Sequence, residues 1–600
     1  MNYKTLLELI TMNFRNLTLM SAVVIFFLGC SSSKEDIQPS LNLKKLMQNY
    51  WDERMELFPL EATAIGDNRY NDKMPITISE SYRAKTKLFY QKYLQQVEEF
   101  QEALNNEDAL SKELLAYELK ISLEGLNYPS HLIPINQFWS FTNEFPQLGS
   151  GSGNQPFKTV DDYDNFLARV KVFPDWVDTA IANMQKGISQ GYVLPSVLAE
   201  KMVPQFKGVL TIDPTKNIFY EPIKNMPKEF SASDKKRLEN AYFFQISNSI
   251  IPAYSKLQKF FTTTYIDACR ATHGISSLPN GDKYYDYLIK NYTTTELSAD
   301  SIYNLGEREV AFISSEMEKV KQQVGFKGSL IEFFNSINED KQFYPFTTAA
   351  QVLDSFRSIQ NIEDKYLGTL FSSVPKTKFE IRQTEAFRAA SASAEYNAGS
   401  EDGTRPGIFY VPILDPKKFN VVGMETLFLH EAIPGHHFQI SLQQENDSLP
   451  KFRKFLGYSA YAEGWALYTE TLGKELGLYK NPYQYLGHLS DAMHRALRLV
   501  IDVGIHTKNM SHDEAIAYMM AHERVSKEEA TAEIERYMAI PGQALSYKIG
   551  QLTLIDIKKE CQEKLGGKFD IKDFHSQLLN GGNMPLEVLR KKLDQWANKN

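Results

Sequence analysis

Between Leu427 and Gln439 the chain reads Leu-Phe-Leu-His430-Glu431-Ala-Ile-Pro434-Gly435-His436-His437-Phe-Gln, gathering three of its eleven histidines and a carboxylate into eight residues. The apolar run from Met424 opens as a helix, which places His430 and Glu431 on helical backbone. An undistorted helix would hold His430 and His436 about 9 Å apart along its axis. That is too far for two imidazoles to share an ion at about 2.1 Å each. Pro434 forbids such a helix, because it has no N–H, crowds the carbonyl four residues back and pushes Ile433 out of helical angles. Gly435 tolerates almost any backbone conformation. In the H-E-x-x-H arrangement two histidines one turn apart share a zinc ion and the glutamate acts as general base. Pro434-Gly435 then works as a two-residue insertion whose kink restores His436 to the second ligand position. His437, which shares a helical face with His430, is the alternative second ligand. Histidines that merely cap a kinked helix would need no ion at all.

The N-terminus runs Leu19-Met-Ser-Ala-Val-Val-Ile-Phe-Phe-Leu28-Gly29-Cys30 and turns polar at Ser31. The apolar run is too short to favour a spanning helix and has the form of a signal-peptide core. Small Gly29 before Cys30 matches a lipobox, in which Cys30 becomes the lipidated first residue. The expected organisation is a lipoprotein signal peptide over 1–30, a polar tether over 31–40, a helical N-terminal half over 41–375 and a C-terminal half over 376–600 that carries the metal site. Net charge is −8 with both signs dispersed and no basic run, so nothing points to nucleic acid. Apart from Cys30, only Cys269 and Cys561 are present, too few for a disulfide framework.

Apolar residues recur at spacings of three and four over Ser81–Leu104, Thr159–Met184, Ser233–Phe261 and Ser298–Val324, which predicts helices. Pro146 to Gly153 is expected as a loop, and Leu278-Pro-Asn-Gly-Asp282 as a turn. Strand patterns are confined to Lys378–Gln383 and Gly407–Ile413. The fold class is therefore mainly α, with a small β element beside the histidine helix.

Downstream, Gly457 to Glu470 predicts a helix with an aromatic stripe, Tyr461, Trp465 and Tyr468, expected to be core. Within it, Glu463 stands between Ala462 and Gly464. A zinc ion with two histidines commonly takes a carboxylate as third protein ligand, and Glu463 is placed to supply it. Arg498, Asp502 and His506 recur every four residues, hence on one helical face. They are a polar network near the site, a substrate-facing row or a satisfied internal ion pair. His506 and Tyr547 are candidate groups for stabilising a developing oxyanion.

His430 to His437, Ala462-Glu-Gly-Trp-Ala-Leu-Tyr468, Asp502-Val-Gly-Ile-His506 and Pro541 to Gly550 resemble the signature blocks of the bacterial domain of unknown function 885 family. A fainter resemblance extends to Phe58–Gly66 and Leu278–Gly281, so it covers nearly the whole mature chain. The family is grouped with gluzincin-like zinc metallopeptidases. The resemblance implies a mainly helical fold with a cleft between two halves, zinc on His430, His436 and Glu463, and Glu431 as the base. The function expected is a lipid-anchored zinc peptidase of the bacterial cell envelope, facing periplasm or surface, acting on peptide substrates. The competing expectations are a lipid-anchored nutrient- or peptide-binding protein without catalysis, and a zinc hydrolase of non-peptide amides or esters.

Overall fold

Helix Val160–Gln190, α1, shows how the periodicity becomes structure. Its buried residues Tyr163, Phe166, Val170, Phe173, Val177, Ala180 and Met184 fall at intervals of three and four. Thr159 and Asp162 close a capping box at its start, and Gly191 ends it at φ +79°. The structure, a computed structural model, describes residues 38–384, 393–399 and 406–599. Cys30 and most of the polar tether lie outside the described residues.

Seven further helices carry or brace the histidine cluster: α2, Ala299–Gln323; α3, Met424–Glu431; α4, His436–Glu445; α5, Ser459–Glu470; α6, Pro482–Thr507; α7, Lys527–Ala539; and α8, Ser546–Leu565. The fold is mainly helical, and α2 against α6 and α5 against α8 are its most extensive helix pairings. Three strands, β1 (Phe379–Gln383), β2 (Glu395–Asn397) and β3 (Gly407–Val411), form one small sheet in the order β1-β3-β2. β1 runs parallel to β3 with Phe379 opposite Gly407, and β2 runs antiparallel with Tyr396 opposite Phe409.

Two large apolar cores are present. One joins α1 to the apolar faces of α6 and α7 through residues such as Phe173, Met493, Leu497 and Ile534. The other packs Phe409 of the sheet against Phe428 and Leu429 of α3, Trp465 of α5 and Leu554 of α8. A cleft of about 1350 Å³ lies where α3 to α5, from the second core, meet α6 and α7, from the first. Among the described residues no helix is long and apolar enough to cross a membrane. Cys269 and Cys561 are both free.

The structure departs from the sequence pattern at a few helix boundaries. The helix expected over Ser81–Leu104 spans Glu80–Glu98. The stretch Ser233–Phe261 is helical, but a wider, π-type segment at Ile246–Ile250 interrupts it. Pro146 to Gly149, expected as loop, completes the short helix Phe141–Gly149. Proline is tolerated there because the Thr142 carbonyl, deprived of a partner at residue 146, accepts the Tyr254 hydroxyl at 2.7 Å.

Candidate metal centre

The helix α3 ends at Glu431 because the residues after it cannot continue it. Ala432 (φ −105°, ψ −102°) and Gly435 (φ −73°, ψ −132°) leave the helical region on either side of Pro434. A Cβ at Gly435 would stand 1.9 Å from the carbonyl oxygen of His430 and 2.3 Å from that of Leu429, so only glycine fits where the chain folds back. Trp465 Nε1 donates to the Pro434 carbonyl at 2.8 Å, and Thr469 Oγ1 to the Leu429 carbonyl at 3.0 Å. Helix α5 thereby partners carbonyls that the broken helix leaves exposed.

His436 consequently opens α4 with its ring 4.9 Å from that of His430 and nearly perpendicular to it. Glu463, at mid-α5, brings Oε2 to 3.6 Å from His430 Nε2 and 3.4 Å from His436 Nε2. These separations are long for hydrogen bonds, and Oε2 is buried without a hydrogen-bond partner. Ligand atoms around a tetrahedral ion at about 2.0–2.1 Å are themselves about 3.3–3.4 Å apart. One ligand atom from each of the three residues lies within 4.8 Å of the others, so the group could hold a metal ion.

His430 Nδ1 meets Glu470 Oε1 at 2.8 Å, which leaves Nε2 facing Glu463. A carboxylate behind a ligating imidazole fixes its ring and tautomer. Burial disfavours an imidazolium at His430, yet Glu463 and Glu470 outweigh it and hold the ring's pKa up to about 10. Burial works against ionised Glu463 too, but His436 and His430 hold it well below the usual carboxylate range. Without an ion, the proton held on His430 offsets the carboxylates beside it; a dication competes for the same place. Burial raises the Glu431 carboxyl, while His430, His436 and Arg495 pull it down. Glu431 lines the cleft together with the three clustered residues.

The remaining residues singled out in the sequence are placed differently. His437 turns away from the cluster: its Nδ1 is 2.9 Å from the Tyr396 hydroxyl and its ring packs 4.6 Å from Phe379. Its place one residue into α4 points it at the sheet. His506 is fully buried outside the cleft lining, accepting at Nδ1 from Ile275 N and donating from Nε2 to the Tyr537 carbonyl, both at 3.0 Å. Burial keeps it neutral, pushed down to about 3. Asp502, one turn before it, accepts from the Tyr285 hydroxyl and the Gly542 N–H. Arg498 alone of that polar ladder lines the cleft. Tyr547 also lines it, with its ring 4.5 Å from the Arg498 guanidinium and its hydroxyl 3.5 Å from Arg536 Nη2. The strand β3 is the middle strand with both edges paired, so it has no free edge to offer a substrate backbone; β2 is the strand that borders the cleft.

Sequence reasoning assigned no role to Glu470 or Arg495. A signal for Glu470 was present: it follows Glu463 by seven residues, two helical turns, and so shares its face. Arg495 had none, since its importance comes from α6 crossing α3.

The family described as "Bacterial protein of unknown function (DUF885)" matches residues 59–593. A crystal structure of a candidate lipoprotein from Colwellia psychrerythraea superposes with a TM-score of 0.87 at 26% identity, covering 93% of this chain and 99% of that one. A second candidate lipoprotein of unknown function, from Shewanella oneidensis, superposes at 0.73 with 21% identity, covering 92% and 99%. No curated protein matches the sequence.

Proposed function

The chain belongs to the DUF885 family of bacterial proteins of unknown function, so its activity has to be argued from its site, and we propose that it is a zinc-dependent hydrolase cleaving peptide bonds. The observation that carries this reading is the placement of Glu463 Oε2, buried without a hydrogen-bond partner and 3.4 and 3.6 Å from two imidazole nitrogens. Two imidazoles and one carboxylate leave a fourth position open, the donor set of catalytic rather than structural zinc. His430, His436 and Glu463 would hold the ion, with Glu470 orienting His430. When bound, zinc supplies a Lewis acid that polarises a carbonyl and acidifies water.

The protein's own groups do the rest. Glu431 follows His430 directly, so about 100° of helical rotation sets it beside the cluster and outside the ligand set. Its carboxylate takes the proton of the attacking water and passes it to the leaving nitrogen. The cleft exceeds the roughly 300–1,000 Å³ of small-molecule sites, which favours an extended substrate such as a peptide. The order His430-Glu431 followed by His436, which matches an H-E-x-x-H site with a two-residue insertion, supports the same reading.

The experiment is metal analysis of the purified soluble fragment beside a peptide-library digest, for wild type and Glu431→Gln. Zinc content and thermal stability are expected to be unchanged in the variant, with turnover lower by about 100-fold or more. Equal activity in the two proteins would remove Glu431 as the base. A metal-free protein that captures peptides without cleaving them would instead be the binding protein.

We also assign the protein to the cell envelope, held by lipid on Cys30. The candidate lipoproteins of similar fold and the lipobox sequence support this. Cys30→Ser is expected to shift the full-length protein from the membrane to the soluble fraction. Undiminished membrane attachment of that variant would rule out the lipid as anchor.

A further inference from the structure

The wall of the cleft beyond Glu431 carries four arginines, Arg495, Arg498, Arg524 and Arg536, beside four carboxylates, Asp491, Glu523, Glu529 and Glu533. Its carboxylates are already engaged. Asp491 accepts from Arg495 Nη1 at 3.1 Å, and Glu523 meets His494 Nδ1 at 3.0 Å. Glu533 accepts from Arg498 Nη2 at 3.1 Å, and Glu529 from the Ser526 N–H at 2.9 Å. After these pairings, Arg495 Nε and Arg498 Nη1 remain buried without a hydrogen-bond partner, and the Arg498 side chain is only 5% exposed. Arg524 lines the same cleft and donates to Asn338 Oδ1; among the described residues no carboxylate lies within 4.0 Å of it.

A buried charged donor left unpaired costs more than a neutral one, and an incoming anion relieves that cost. Arginine is suited to a planar carboxylate, which it can meet with two parallel N–H bonds. Position narrows the choice of ligand. Arg495 and Arg498 line the same cleft as Glu431 and stand one helical turn, about 4.5 Å, apart along α6. An extended peptide advances about 3.3–3.6 Å per residue, so this pair spans little more than one substrate residue and can hold a chain end inside the cleft.

We infer that Arg495, Arg498 and Arg524 bind the free α-carboxylate of the substrate, making the chain a carboxypeptidase-type enzyme that works from the C-terminal end of a peptide. This rests on the hydrolase reading above. The step is a hydrolysis in which the water oxygen bonds to the acyl carbon, the C–N bond breaks and the released amine takes the proton. No other reactant is needed. The three arginines are specificity residues in this scheme, acting on the end of the substrate rather than on the reacting bond.

The test uses one peptide series in two forms, with a free and with an amidated C-terminus. Zinc-loaded protein is assayed for cleavage by mass spectrometry, and zinc-loaded Glu431→Gln for binding by calorimetry. Short products from the C-terminus are expected, with amidation lowering kcat/KM and affinity by about 10- to 100-fold. Arg495→Gln, Arg498→Gln and Arg524→Gln should each shrink the acid-to-amide ratio, with Arg524→Gln, the least buried, as the variant least exposed to a folding defect. Equal handling of acid and amide by wild type would overturn the inference, as would a ratio untouched by all three substitutions. Internal cleavage of both forms would refute it while leaving the hydrolase intact. Absence of any cleavage would count against the hydrolase, and the binding comparison would then decide the carboxylate site alone.

Discussion

At Gly435 a single hydrogen in place of a methyl group lets the backbone turn onto its own helix, and His436 arrives opposite His430 because of it. The two adjacent histidines then part company: His436 faces Glu463, and His437 meets Tyr396. Their roles separate in a metal-binding experiment. Glu463→Ala and His436→Ala are expected to lower zinc affinity by more than about 100-fold, and Glu470→Gln by about 10- to 100-fold, as loss of a ligand's supporting partner usually does. His437→Ala should leave it unchanged. Chelator competition on the purified proteins reads all four; equal losses in His436→Ala and His437→Ala would mean the second ligand is misassigned.

On the scale of elements, the position of Glu463 depends on how closely α5 approaches α8. A Cβ on Gly550 would lie 2.0 Å from the Ala460 carbonyl oxygen and 2.6 Å from Gly464 Cα, so the two backbones touch at a pair of glycines. Gly550→Ala must force them apart, at a cost of about 1–3 kcal/mol. Glu463 precedes Gly464 by one residue, so zinc affinity should fall along with the melting temperature. Gly208→Ala, where a Cβ meets nothing within 4 Å, is the control and should change neither. If Gly550→Ala melted like wild type and bound zinc equally well, the crossing would not be what positions the ligand.

For the molecule as a whole, α6 links separate parts of the chain through buried polar groups. Asp502 ties α6 to Tyr285 and to Gly542, and burial pushes its pKa up to about 7 in spite of the Tyr285 and Gly542 hydrogen bonds. An unfolded aspartate titrates near 3.9. The folded chain therefore holds this proton more tightly, and the stability involved is complete below about pH 4 and lost as pH rises through about 7. Melting temperatures of wild type should fall between about pH 5 and 8 more steeply than those of Asp502→Asn, whatever the absolute offset between them. Parallel profiles would show that Asp502 does not exchange its proton in that window.

Much of this protein is set locally. Spacings of three and four produce α1 and α6, Pro434 with Gly435 breaks α3 from α4, and the side chains able to hold an ion are chosen by residue type alone. These features obey rules that act within a few residues: helical periodicity, the missing N–H of proline, the missing Cβ of glycine. The support of His430 by Glu470 and the withdrawal of His506 to partners at Ile275 and Tyr537 were not legible in that way. Equal spacing along a helix says which residues share a face, but not what that face will meet. Arg498, Asp502 and His506 show the difference, since one borders the cleft and two are sealed in the interior only because of where α2, α7 and the segment near Ile275 pack against α6.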